Sequence, residues 1–240
     1  MNEAGNVANV VREIRAACAA AEYPRDSIQL VFVDDGSTDG TGAIVERLAS
    51  EHPNALCVHH PRNRGFGAAY KSGARAASHD YVLMIPGENS VPCESIVAIL
   101  SALGKADMVI TYPLNPVVRK KVRQLLSFCF QWLTKKISSH DIRYYNGPNL
   151  YRRAHVMSAL PRTDGHAYQL EMSLKLLSAG RSYVQVGINV RNRPTGRSKA
   201  LRPKNVARVV WALIRCTVWA MFRRRPASPA QGLYRQPSLD

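Results

Sequence analysis

A run at residues 28–33, apolar but for Gln29, stops at Asp34-Asp35-Gly36-Ser37 and passes into a helical pattern of Ile44, Val45 and Leu48. A short apolar run between turn residues reads as a strand buried on both faces, the situation inside a parallel sheet covered by helices. The alternation then repeats. Strands are predicted at 56–59, 81–85 and 108–112, and helices at 42–50, 68–77 and 94–103. Val7, Val10, Val11, Ile14 and Cys18 place a further helix ahead of them. This order predicts an α/β fold, a mostly parallel sheet flanked by helices and wound by right-handed crossovers. Such sheets bind ligands at the carboxyl ends of their strands, where Asp34 and Asp35 stand. One helix cap accounts for one acid at that place; here there are two adjacent acids and Asp39 beyond them.

The second half is less regular. Residues 117–137 read as a basic amphipathic helix, with Arg119, Lys120, Lys121 and Arg123 ahead of Leu125, Leu126, Phe128, Phe130, Trp132 and Leu133. An extended segment at 144–151, a helix at 168–179 and a strand at 183–188 follow. Residues 206–222 are apolar and helical, and the tail beyond them is basic, then rich in Pro, Ser and Gln, a composition that predicts no fixed structure. The expected organisation is a domain over 1–204, a surface helix over 205–222 and a tail over 223–240.

Charge narrows the partners. Across 240 residues, 33 basic against 17 acidic side chains give a net +16, which favours nucleic acid, anionic lipid or phosphorylated small molecules. The nucleic-acid reading finds no recognised motif, and the cations cluster with apolar helices rather than with interleaved aromatics. The five cysteines, Cys18, Cys57, Cys93, Cys129 and Cys216, form no CxxC pair. That argues against a disulfide framework or a zinc site and fits a reducing compartment. No basic stretch followed by an apolar one marks a leader at the start.

Three turns carry candidate chemistry. Pro86-Gly87-Glu88 follows the 81–85 strand, on the edge that holds Asp34 and Asp35. A carboxylate beside a glycine suits a hard divalent cation, Mg²⁺ or Mn²⁺, which takes one or two protein carboxylates and fills its shell with phosphate and water; it also reads as a solvated Pro-Gly turn. Arg62-Asn63-Arg64-Gly65-Phe66-Gly67 offers cations at a Gly-rich helix entry, for phosphate or simply for close packing. It is no dinucleotide fingerprint, because Tyr70 stands where the third Gly belongs. Arg191 to Lys199 is a Gly-containing basic loop that reads as a pyrophosphate clamp or as a solvated surface.

In their order, Asn2-Glu3, Asp34-Asp35-Gly36-Ser37, Asn63-Arg64-Gly65, the acidic turn with Glu88 and Pro92, Glu171, and Gly196-Arg197-Ser198-Lys199 resemble the family 2 glycosyltransferases of GT-A (Rossmann-like) fold. Within that family the chain looks most like the transferases that act on dolichyl or polyprenyl phosphate. The resemblance implies a nucleotide-sugar donor, UDP- or GDP-linked, and a polyprenyl phosphate or other glycosyl acceptor. It implies that Glu3, Val33 and Asp35 hold the nucleoside, with Gly87 at the donor and Glu88 at the metal. It implies that Arg193 and Lys199 meet donor phosphates or acceptor, and that Glu171 lies on the acceptor side.

Three departures stand out. The chain starts at Met1, where the family has an opening strand ending in Pro-x-Tyr, so the sheet is expected to be one strand short. Pro86-Gly87-Glu88 replaces Asp-x-Asp, leaving one metal-facing carboxylate. Thr111-Tyr112-Pro113 replaces a small-Arg-Tyr stretch.

Membrane contact is expected at the surface. Residues 206–222 would make a helix of roughly 25 Å, short of a hydrocarbon core about 30 Å thick. Arg208 and Arg215 fall on nearly one face, offset by about 20°. A helix lying in the interface with its arginines toward headgroups satisfies both facts. The 117–137 helix reads equally as such a helix or as a core-facing one. Together with Arg223-Arg224-Arg225 they predict peripheral attachment to an anionic membrane surface, on the cytoplasmic face.

Overall fold

The computed structural model describes residues 1–115 and 140–191, and the backbone of 231–233. The segments 117–137 and 206–222, with Arg193 and Lys199, lie outside the described residues.

Helix α1, Val7–Ala20, buries Val7, Val10, Val11, Ala17 and Cys18 along one stripe, the spacing of an amphipathic helix face. Asn6 at its N-cap makes no side-chain capping bond; its Nδ2 donates to Glu3 Oε2 at 2.8 Å, and the Glu3 carbonyl receives the Asn6 and Val7 amides at 2.8 and 3.0 Å. The helix stops where Glu22 turns left-handed at φ 57° and the Tyr23 amide returns to the Cys18 carbonyl at 2.9 Å, which satisfies an otherwise orphaned acceptor.

Strand β1, Leu30–Asp34, leads through α2, Thr41–Ser50, to β2, Ala55–His59, which pairs parallel with β1. Next come α3, Phe66–Ala76, β3, Tyr81–Leu83, α4, Cys93–Leu100, and β4, Met108–Pro113. The described second half holds β5, Leu150–Arg152, α5, Arg153–Ser158, α6, Tyr168–Ser178, and β6, Tyr183–Ile188. A second sheet has the order β3, β5, β4, β6 and then β7, Gln231–Leu233. In it β5 runs antiparallel to both neighbours, while β4, β6 and β7 are parallel. The expected α/β architecture with a mostly parallel sheet and flanking helices is what the chain forms. Strand β7, Gln231–Leu233, pairs with Tyr183–Gln185; the expectation of a tail without structure does not hold there. The extended segment expected at 144–151 narrows to β5, and α5 was not foreseen.

Side chains alternate across the strands. Leu30, Phe32, Leu83 and Ile85 pack toward α1, α2 and α4, whereas Val82 and Met84 pack toward α3 and α6. Strand β4 is fully buried over its first four residues, yet every apolar residue of β1 and β3 is only half-buried. The cause is topological: among the described residues β1 pairs only with β2, and β3 only with β5. Among the described residues the sheet is interrupted between β1 and β3.

The turn that opens α3 is fixed by close approach. Gly65 has φ 105°, and a Cβ built on it lies 2.5 Å from the Asp164 carbonyl oxygen. The next loop contact is a backbone bond, Gly67 amide to that same carbonyl at 2.8 Å. Gly65→Ala must move one backbone off another in a conformation that L-residues disfavour. It is expected to cost about 2–4 kcal/mol, read as a lower urea midpoint at unchanged slope.

Candidate active site

The two adjacent acids divide their work because neighbouring strand residues face opposite ways. Asp34 turns toward α2: its Oδ1 receives the Ser37 amide at 3.2 Å, and Oδ2 lies 3.7 Å from His59 Nδ1. Asp35 turns toward the basic turn. Its Oδ1 receives the Arg64 amide at 2.9 Å and His60 Nδ1 at 2.7 Å; its Oδ2 receives the Gly65 amide at 2.9 Å and Asn63 Nδ2 at 3.0 Å. Asp35 thus holds the shape of Asn63-Arg64-Gly65 from beneath while being itself buried. His60 was not foreseen. With Nδ1 donating to Asp35, its Nε2 is left to accept the Ser72 hydroxyl at 2.9 Å. A His ahead of Pro61 gives no motif signal; only the fold sets it between β2 and α3.

The amino-terminal residues are stitched over the same edge. The Asn2 amide donates to Ser37 Oγ at 2.9 Å, the Glu3 amide to Thr41 Oγ1 at 2.9 Å, and the Ala4 amide to Asp39 Oδ2 at 3.2 Å. Asp39 Oδ1 accepts the Thr41 amide and hydroxyl at 3.2 and 2.5 Å, so it serves as the effective cap of α2. The Thr41 hydroxyl is the main reason that its carboxyl lies below the ordinary 3.8. On the far side Glu3 meets the acidic turn: a Cβ on Gly87 would lie 3.8 Å from Glu3 Cβ.

Glu3, Val33, Asp35, Gly87 and Glu88 all line one cleft of 2120 Å³, together with Asn63, Gly65 and Arg191. Five of the residues singled out in the sequence therefore converge. Arg191 opens the basic loop and is pinned at the rim. Its amide donates to the Ser90 carbonyl at 2.9 Å and its Nη1 lies 2.5 Å from Glu13 Oε1. Arg193 and Lys199 lie outside the described residues. Tyr112, where the family has Arg, carries the Arg143 guanidinium over its ring at 4.7 Å.

Glu171 does not line the cleft, whereas Gln169 of the same helix does. Glu171 Oε1 receives the Arg162 amide at 2.8 Å and pairs with Lys175 Nζ at 3.0 Å, and Oε2 receives the Thr163 amide at 3.1 Å. It holds the 162–163 turn, beside the Asp164 carbonyl on which Gly67 rests. Burial pushes its carboxyl up, but the Arg162 amide, the Lys175 ammonium and the Thr163 amide outweigh burial and hold it below 4.5. A depressed folded-state value stabilises above the unfolded one and is lost as pH falls through the folded one. Glu171→Gln is therefore expected to lower stability near pH 7 by about 1–3 kcal/mol. It is also expected to flatten the loss of stability below about pH 4.5, measured by urea unfolding at stepped pH.

Among the described residues no group of three or more His, Cys, Asp or Glu is placed to hold a metal ion. Glu88 is the carboxylate on the acidic turn that reaches the cleft. One carboxylate suits an ion that takes its remaining oxygens from phosphate and water, so the donor set fits Mg²⁺ or Mn²⁺ brought with a diphosphate.

Comparison with known proteins bears on the family and the fold. The polyprenol monophosphomannose synthase of Mycolicibacterium smegmatis is 27% identical over 214 residues, covering 82% of this chain and 77% of that protein. The undecaprenyl-phosphate mannosyltransferase of Micrococcus luteus is 27% identical over 192 residues, covering 73% and 78%. Glucosyl-3-phosphoglycerate synthase from Mycobacterium tuberculosis, solved with Mn²⁺, uridine-diphosphate-glucose and phosphoglyceric acid, superposes with a TM-score of 0.67 at 17% identity, covering 91% of this chain and 77% of that one. The last likeness shows the GT-A fold. Residues 1–125 match the family described as Glycosyl transferase family 2, and with more than half of its length so matched the chain belongs to the family 2 glycosyltransferases.

Proposed function

We propose that the chain is an inverting glycosyltransferase that moves a sugar from a UDP- or GDP-linked donor to a membrane-held polyprenyl phosphate. The observation that carries this reading is the meeting of Glu3, Val33, Asp35, Gly87 and Glu88 in one cleft at the carboxyl edge of the strands. Glu3, Val33 and the turn held by Asp35 receive the nucleoside. Gly87 keeps the backbone low where the diphosphate passes, and Arg193 and Lys199 supply cations to it. Bound at Glu88 and the diphosphate, a divalent ion would neutralise the charge that develops on the leaving group. The names of the two mannosyl-transferring relatives support a polyprenyl phosphate acceptor. A phosphate acceptor is already ionised near pH 7 and needs no protein base, which agrees with Glu171 lying off the cleft with both oxygens engaged. A hydroxyl acceptor would require Glu171 as base, and then its present bonds would have to break.

Among the described residues no helix is long and apolar enough to cross a membrane. The 117–137 and 206–222 segments, with Arg223-Arg224-Arg225, are proposed to hold the enzyme against the anionic cytoplasmic leaflet. The domain limits 1–204, 205–222 and 223–240 are part of the same proposal.

The test is transfer from UDP- and GDP-sugars to undecaprenyl phosphate in anionic liposomes, with donor hydrolysis followed alongside. Turnover that needs Mg²⁺ or Mn²⁺ is expected; no turnover with any donor sinks the reading. A second reading, a relative that keeps the fold without activity and serves as a membrane-associated scaffold, is favoured by the interrupted sheet and by Pro86 in place of an acid. Calorimetric titration of UDP or GDP with Mn²⁺ separates the two, since absence of metal-dependent binding supports the second.

A further inference from the structure

The cleft runs on past the acidic turn to the carboxyl end of β4, where Tyr112 lines it together with Tyr144 and Asn146. Strand β5 is antiparallel to β4, so the segment that leads into it, 140–149, arrives at this edge and not at the opposite one. That is how the Arg143 guanidinium comes to lie over the Tyr112 ring, 4.7 Å from its centroid. The backbone beneath it is fixed. Gln185 of β6 is buried, its Oε1 accepting the Arg143 amide at 2.9 Å and its Nε2 donating to the Asp141 carbonyl at 2.8 Å. A buried side-chain amide that engages its carbonyl end and its NH₂ end on one turn sets where that turn stands. The Arg143 side chain that the turn presents is exposed. Among the described residues no carboxylate pairs with its guanidinium.

We propose that Arg143 binds the phosphate of the lipid-linked acceptor, with Tyr112 as its platform and Gln185 as the residue that positions it. The assignment rests on the reading of the chain as a transferase to polyprenyl phosphate. Place along the sheet edge supports it. Asp35 follows β1, the Glu88 turn follows β3, and Tyr112 belongs to the end of β4, two places beyond β3 in the second sheet. A donor with its nucleoside at Asp35 and its diphosphate at Glu88 leaves the β4 end of the cleft for the acceptor. The chemistry supports it too. A guanidinium is charged at every working pH and offers paired N–H donors in one plane, which match two oxygens of a phosphate. A ring against its face restrains the side chain and leaves the in-plane donors open. Tyr112 stands where the family has Arg, so in this chain the cation reaches the edge from another segment, seated on the residue that replaced it.

The test is calorimetric binding of geranyl phosphate, with geraniol and inorganic phosphate alongside, to the 240-residue chain and to Arg143→Met, Arg143→Lys and Tyr112→Leu. Arg143→Met keeps the apolar stem and loses the charge; because the side chain is exposed, its urea midpoint should match that of the parent. Loss of a charge-assisted contact is expected to weaken geranyl phosphate about ten- to a hundredfold. Arg143→Lys, a cation without the fork, and Tyr112→Leu, a fork without its seat, should fall between parent and Arg143→Met. In transfer assays on Arg143→Met the KM for undecaprenyl phosphate should rise more than the KM for the donor. Equal binding of geranyl phosphate by Arg143→Met and parent would overturn the assignment and leave the transfer reading standing. No binding by the parent, or equal affinity for geraniol or for inorganic phosphate, would overturn a prenyl phosphate as the ligand. Binding that depends on Arg143, without transfer from any donor, would keep the phosphate site and sink the transfer reading.

Discussion

Asp35→Ala is expected to lower stability by about 3–5 kcal/mol, a large share of the roughly 5–15 kcal/mol that holds a domain folded. The carboxylate is buried and receives the Arg64 and Gly65 amides, Asn63 Nδ2 and His60 Nδ1. Removing it orphans all four donors, each costing about 1–3 kcal/mol when left dry. Part of that is recovered because Arg64 and Asn63 reach solvent, so the sum is not additive. Asp35→Asn keeps the shape but turns an NH₂ toward N–H donors, and should fall between parent and Ala. Urea unfolding measures both, and donor binding should weaken in parallel as the 63–65 turn loosens. An Ala variant within about 1 kcal/mol of the parent would show that the turn holds its own shape and that Asp35 is kept only for ligand.

Glu88→Gln carries the largest expected effect on transfer, a loss of about 10²–10³-fold in kcat/KM. The neutral amide is close in shape, so the folded chain should be little altered while its affinity for a divalent ion falls. Two readings separate site from scaffold. Excess Mn²⁺ should restore part of the activity of Glu88→Gln, and the metal-dependent part of UDP binding should shrink by calorimetry. Equal activity of Glu88→Gln and parent across a range of Mn²⁺ concentrations would remove Glu88 from the reaction. In Asp35→Ala, by contrast, activity and stability should fall together and extra metal should not help.

The difference between the two acids shows what local sequence conveys. That an acid pair sits at the carboxyl end of a strand was legible from the apolar run before Asp34 and the helical spacing after it. Which acid does what was not, because side chains one residue apart on a strand point to opposite faces. The identity of each face depends on what packs there: α2 and His59 on one side, the 63–65 turn on the other. The sequence reading chose Asp35 for the nucleoside; the fold adds that its four bonds shape the turn that would meet it.

Glu171 shows the converse. Nearly every side chain of α6 is buried, so no polar stripe in the sequence marks a face toward the cleft. Residues two apart on a helix are turned about 200° from one another, which is why Gln169 reaches the cleft and Glu171 holds the 162–163 turn. His60 and Arg143 escaped notice for a related reason: each acts through partners far away in the chain, Asp35 and Tyr112. The strand at 231–233 lies in a Pro- and Ser-rich stretch too short for any period to register, and its place is set by the open edge of β6.

The sequence by itself determined the order of strands and helices, the edge on which the acids and the Glu88 turn gather, and the family to which the chain belongs. Those features rest on local apolar period and turn chemistry, which a linear chain carries in full. Tertiary structure alone decided which carboxylate shapes a turn and which faces the cleft. It alone brought Arg143 over Tyr112, because edges and faces exist only once distant segments pack.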